Sequence, residues 1–147
     1  VSFSIIRDYP QTQYSNLSIP TWLYGHEWTS PFATHIAKLF ENSVREDTLL
    51  TVAYGGIIYA PGRAGTIQEV FQEAVQNHYL TFGFASPMVF LDTEFWSKTT
   101  PFYPLLVDLL EKGIYKNLLL SLTDDVEEVI RIIRDFQQKC SVSHIGQ

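Results

Sequence analysis

The chain has a single cysteine, Cys140, so no intrachain disulfide can form. That fits a reducing compartment, and the cytoplasm is the expected location. Basic residues are scarce: 10 Lys and Arg stand against 16 Asp and Glu, for a net charge of −6. Without a basic field to hold polyphosphate, neither nucleic acid nor an anionic membrane is an expected partner. Any phosphate recognised here belongs to a small molecule. No apolar run approaches the roughly 18 residues of a membrane span, and nothing resembles a signal peptide. Asn16-Leu17-Ser18 matches a glycosylation sequon, but no secretory signal accompanies it. Glycine is missing from residues 1–20, and the first residue is Val1 rather than Met; residues upstream are expected.

What is present is ordinary for a globular domain. The 147 residues are 46% apolar and 14% aromatic, enough for one domain, residues 1–147, with a real core. Residues 2–6 read as a strand, and residues 7–30 show no period. Ser30-Pro31 reads as a helix start, with Ser as N-cap and Pro at the first helical position. Phe32, Ile36, Phe40 and Val44 then share a face of a helix running to about Leu49 or Val52. Gly55-Gly56 turns the chain into a strand at 57–60. A helix is expected over 66–77, and strands over 80–84 and 87–91. A further helix runs from Thr100 or Pro101 through Leu105, Leu106, Leu109 and Leu110 to a left-handed stop at Gly113. Leu118-Leu119-Leu120-Ser121 reads as a buried strand. The last helix opens at Thr123-Asp124-Asp125 with Asp124 and Glu127 spaced as a capping box. Its buried stripe is Val126, Val129, Ile130, Ile133 and Phe136, and 139–147 reads as a loose tail. Strands alternating with helices predict an α/β fold with a mostly parallel sheet flanked by helices, Rossmann-like in kind.

The chemistry concentrates in Pro61-Gly62-Arg63-Ala64-Gly65-Thr66-Ile67-Gln68-Glu69. Strand, Gly-rich turn and helix is the layout that aims backbone N–H groups at an anion. Gly62 and Gly65 allow close approach, the Thr66 hydroxyl adds a donor, and Glu69 faces the same crevice one turn on. The same residues also read as a Thr66-x-x-Glu69 capping box, which needs no ligand. With no Lys before Thr66, an ATPase-type phosphate clamp is not expected.

The nine residues resemble the Pro-Gly-Gly-x-Gly-Thr-x-x-Glu motif of the LOG ("lonely guy") family, formerly called lysine decarboxylase-like. The wider stretch, about 25–91, resembles a bacterial branch of predicted Rossmann-fold nucleotide-binding proteins in that family. The family also carries an Arg on the helix before the motif, and Arg45 stands sixteen residues before Pro61. The resemblance implies a nucleoside 5′-monophosphate phosphoribohydrolase, which releases free base and ribose 5-phosphate and is typically a homodimer. It implies Glu69 as the carboxylate that stabilises an oxocarbenium-like transition state. Arg45 would orient or neutralise the departing base. Gly62, Arg63, Ala64, Gly65 and Thr66 would hold the 5′-phosphate, with no metal or cofactor needed. The family's second Gly is Arg63 here. A guanidinium at that point suits a bidentate phosphate contact, and equally fills the site or points to solvent. The family's N-terminal strand–helix–strand portion is not visible, so the chain resembles the C-terminal part of such a protein, or a divergent member. The alternative is a catalytically inactive nucleotide-binding or sensing module on the same fold.

The other polar residues are weaker candidates. His26, His35, His78 and His144 lack ligand spacing. His26-Glu27 is a candidate pocket lining, and His78 reads as a helix C-terminal cap. Without the resemblance, Arg45 beside Glu46 and Asp47 reads as a solvated helix-face charge. Phe95, Trp96, Phe102 and Tyr103 read as core or subunit contact.

Overall fold

The computed structural model describes residues 2–8, 15–21 and 29–143. It is mixed α/β, with parallel strands in two small sheets and helices alongside. The chain divides into two compact units, 1–52 and 53–147. Among the described residues, no helix is long and apolar enough to cross a membrane.

The first unit differs most from the expectations. Ser2–Asp8 is a helix, α1, not a strand. A strand needs a partner ladder to satisfy its backbone, and a helix satisfies its own. The helix expected from Ser30 is also replaced. Ser30 opens a tight turn, its carbonyl accepting from Ala33 N at 3.0 Å and its hydroxyl from Phe32 N at 3.3 Å. The chain then pairs β2 (His35–Ile36) in parallel with β1 (Leu17–Ser18). Asn16 and Thr34 decide this contest. Asn16 N donates to the Thr34 hydroxyl at 2.7 Å, and Thr34 N donates to Asn16 Oδ1 at 3.1 Å. Asn16 Nδ2 also reaches Phe32 O at 2.7 Å. Short polar side chains that bond backbone in this way compete directly with helix. Only Asn42–Val52 is helical, as α2. The apolar stripe that suggested a longer helix stays in solvent: Ile36, Phe40 and Val44 are all exposed. His26-Glu27 and His144 lie outside the described residues.

The second unit follows the expected alternation closely. β3 (Ile57–Tyr59), β4 (Pro87–Leu91) and β5 (Leu119–Thr123) form one parallel sheet in that order. Ile57 is in register with Met88, and Leu91 with Thr123. Central β4 is buried from Pro87 to Phe90, as a strand covered on both faces must be. Pro87 sits at its first position, where a missing N–H does least harm. α3 (Ala64–Tyr79) contributes Val70 and Ala74 to the core, and α4 (Phe102–Glu111) contributes Leu106. They meet Tyr59, Met88, Phe90, Trp96 and Leu118 in one cluster, with Phe95, Phe102 and Tyr103 packed against it. α5 (Val126–Ser143) packs on β4 and β5.

The remaining differences are local. Residues 80–84 are not a strand. Leu80 takes a left-handed conformation (φ 50°) and closes α3 by donating to Asn77 O at 3.1 Å, while Thr81 N donates to Gln76 O at 2.9 Å. A π-helical turn, Phe95–Thr99, precedes α4. The last helix is capped by Asp125 rather than Asp124. Asp125 Oδ1 accepts from Glu127 N at 2.9 Å, whereas Asp124 turns to Thr93. Val126, placed in the buried stripe, is exposed, and α5 runs through 139–143, where a loose tail was expected.

Candidate functional site

Parallel strands put their carboxyl ends on one side, and ligands of open α/β sheets sit there. In the second unit that side carries the turn after Tyr59, Asp92-Thr93 after β4, and Asp124-Asp125 after β5. The turn is built around Gly62. A Cβ on Gly62 would land on Thr66 Oγ1 and 2.6 Å from Thr66 Cβ, so the Thr66 side chain occupies the space a side chain at 62 would need. Neither Gly62 nor Gly65 has positive φ. Glycine serves here for close approach, not for a left-handed backbone.

α3 begins at Ala64, two residues before the expected start. Arg63 is the N-cap, extended at φ −116° and ψ −156°, and makes no side-chain cap bond. The first helical bond runs from Ile67 N to Arg63 O at 3.1 Å. The N–H groups of Ala64, Gly65 and Thr66 therefore have no acceptor within the helix, and they carry its positive dipole end. Thr66 is the third helical residue, so the Thr66–Glu69 capping box does not form. Arg63, Ala64 and Gly65 are exposed, and Gly62, Thr66 and Glu69 are half-buried.

Trp96 fixes the strand that feeds the turn. Its wholly buried indole donates to Tyr59 O and Leu91 O, both at 3.1 Å, clasping the carboxyl ends of β3 and β4. On β5's side, Asp124 accepts from Thr93 N at 2.7 Å and from the Thr93 hydroxyl at 2.6 Å. These bonds to the charged form hold the Asp124 carboxyl below its usual range.

Behind the turn lies a polar group that the motif did not announce. Glu73 is buried at 4% exposure on α3, and its carboxyl accepts a short hydrogen bond from the Ser86 hydroxyl. Burial pushes Glu73 up from the ordinary carboxylate range, opposed by Ser86. Asn77 and Ser86 pair reciprocally: Ser86 N donates to Asn77 Oδ1 at 2.8 Å, and Asn77 Nδ2 donates to Ser86 O at 3.0 Å. Tyr59 is 3% exposed and stacks on Phe90 at 5.0 Å, with a buried hydroxyl that has no hydrogen-bond partner among the described residues. Burial first, then the charges of Glu73 and Glu69, push that phenol well above the tyrosine range. The available sequence signal for this group is the spacing Glu69, Glu73, Asn77: three polar residues one turn apart on a helix whose neighbouring face is apolar.

Arg45 belongs to the first unit. It is not the solvated charge that its neighbours suggested: its side chain is only 13% exposed. Nε donates to Asn42 Oδ1 at 3.1 Å and Nη1 to Ile19 O at 3.4 Å, with Nη2 3.8 Å from Glu46 Oε1. Glu46 is fully buried and accepts from Asn42 Nδ2 at 2.6 Å. The Asn42–Arg45–Glu46 set holds the guanidinium in one pose. Of the described histidines, His78, expected as a helix C-terminal cap, lies in the last turn of α3 and accepts from Lys116 N at 3.0 Å through Nδ1, while Leu80 closes the helix. No family model matches the chain, and no curated protein matches it.

Proposed function

We propose that the chain is a nucleotide-site protein of LOG type on a Rossmann-like fold, cleaving the N-glycosidic bond of a nucleoside 5′-monophosphate. The observation that carries the reading is the start of α3 at Ala64. It removes the capping-box account of Thr66 and Glu69 and leaves a helix N-terminus open beside a glycine turn at the carboxyl end of β3. That arrangement suits a 5′-phosphate, with Gly62, Ala64, Gly65 and Thr66 as its cradle and Arg63 at the rim. Phosphate binding supplies remote binding energy for reaction at the sugar. Glu69, one turn deeper, is the carboxylate assigned to the cation that develops on the ribose. Arg45 is assigned to the departing base on the resemblance alone. Its permanently charged guanidinium orients and neutralises rather than donating the proton.

A second reading, nucleotide binding without catalysis, is favoured by Arg63 in place of the family's second glycine. Incubating the chain with AMP, CMP, GMP and UMP and assaying free base separates the two. Base release supports hydrolysis, binding without release supports the sensing module, and no binding overturns both. A homodimer is part of the same proposal, and sedimentation reads it directly.

A further inference from the structure

Thr66, Glu69, Glu73 and Asn77 fall at intervals of three, four and four residues, so they form one column along α3. Exposure falls along it: Thr66 and Glu69 are half-buried, and Glu73 and Asn77 are buried at 4% and 2%. The inner end is tied by Ser86, which donates its hydroxyl to Glu73 and exchanges two backbone–amide bonds with Asn77. Beside the column stands the Tyr59 hydroxyl, buried and without a partner among the described residues, and close enough to feel both carboxyls. A buried phenol with no acceptor is costly unless something nearby makes use of it.

We propose that Glu73, buried beside Tyr59, is a positioning residue for Glu69: burial keeps it a neutral acid against the opposing Ser86 hydroxyl, so that Glu69 is the charged member of the pair. Two carboxylates one turn apart repel each other, and environment decides which gives up its charge. Burial selects Glu73. The Ser86 hydroxyl, which donates to Glu73, opposes that choice by favouring the charged form. The partition of two carboxyls into one neutral and one charged is the arrangement by which acid and base roles are separated elsewhere. The polar groups that bear on this column include Tyr59, Asn77 and Ser86. The link to Glu69 as catalyst rests on the function proposed above; the neutrality of Glu73 does not.

The test uses the whole chain with AMP as the probe and the variants Glu73→Gln, Glu69→Gln, Tyr59→Phe and Ser86→Ala. A carboxyl raised on folding lends stability that is full below its unfolded pKa and is lost as pH rises through its folded one. Wild type is therefore expected to lose urea midpoint relative to Glu73→Gln as pH rises from the ordinary carboxylate range through the raised folded value. Ser86→Ala, which removes the opposing hydroxyl, should steepen wild type's own loss and serves as the test if Glu73→Gln does not fold. A midpoint gap that is flat with pH overturns the proposal. In AMP hydrolysis, Glu73→Gln should keep kcat within about threefold, while Glu69→Gln loses about 100-fold or more. Tyr59→Phe should lower kcat about tenfold at unchanged KM and displace the acid limb of its pH profile. Equal losses at Glu69 and Glu73, or a Tyr59→Phe profile identical to wild type, overturn it. Wild-type release of no base at all defeats the proposed function instead, and the unfolding series then decides the neutrality of Glu73.

Discussion

At Gly62 the turn has no room for a side chain, because Thr66 already fills the space. Gly62→Ala must displace Thr66 or the first turn of α3, and overpacking of this kind costs about 1–3 kcal/mol. The expected outcome is a lower urea midpoint together with weakened AMP binding, since the displaced groups include the N–H donors. An unchanged midpoint would show that Thr66 yields easily. The motif made Gly62 legible in the sequence, and the structure adds that the close approach it allows is to the Thr66 side chain. Glu73, Ser86 and Tyr59 were not legible. Their roles come from depth, and a carboxyl on the deep side of a helix looks the same in sequence as one at its rim. Arg45 shows the opposite error. Its acidic neighbours Glu46 and Asp47 suggested solvent, yet Glu46 is turned fully inward with it.

Among the elements, the second unit was readable because its signals are local and agree with one another. Apolar runs bounded by Gly55-Gly56, Gly113 and the acidic start of α5 mark the strands and helices that form. The first unit was misread where a long-range pairing outweighed a local pattern: Ser30-Pro31 and a four-residue apolar stripe suggested helix, but Asn16 and Thr34 tie that segment to a distant strand. Trp96 was read as core or subunit contact, and its further role as a clasp on two strand ends depends on tertiary placement. Trp96→Phe removes the donor from two carbonyls and leaves a void, so it should cost about 2–4 kcal/mol of unfolding free energy and loosen the turn after β3. Denaturant unfolding checks the first effect, and amide exchange at Ala64 to Thr66 checks the second. The clasp between the loops after β4 and β5 is set by pH. The Asp124 carboxyl is held low by Thr93, so its contribution is present above the unfolded Asp pKa and is lost as pH falls through the folded value. Thr93→Val should raise the Asp124 titration midpoint toward the ordinary Asp range by carboxyl NMR; an unmoved midpoint would assign the effect to the backbone N–H alone.

For the whole molecule, a three-stranded parallel sheet with its glycine turn, a clasped strand end and a graded polar column supports one claim above the others. On the function proposed above, Glu69 is the charged group of a nucleotide-cleaving site, and the phosphate cradle is a separate part of the same turn. The net charge of −6 argues against a polyanion, and the proposed ligand is accordingly a small nucleotide. The most direct measurement pairs AMP binding with adenine release for wild type and Glu69→Gln, side by side. Wild type should bind and release, and the variant should bind with similar affinity while release falls by about 100-fold or more. Release by Glu69→Gln at the wild-type rate would contradict the account.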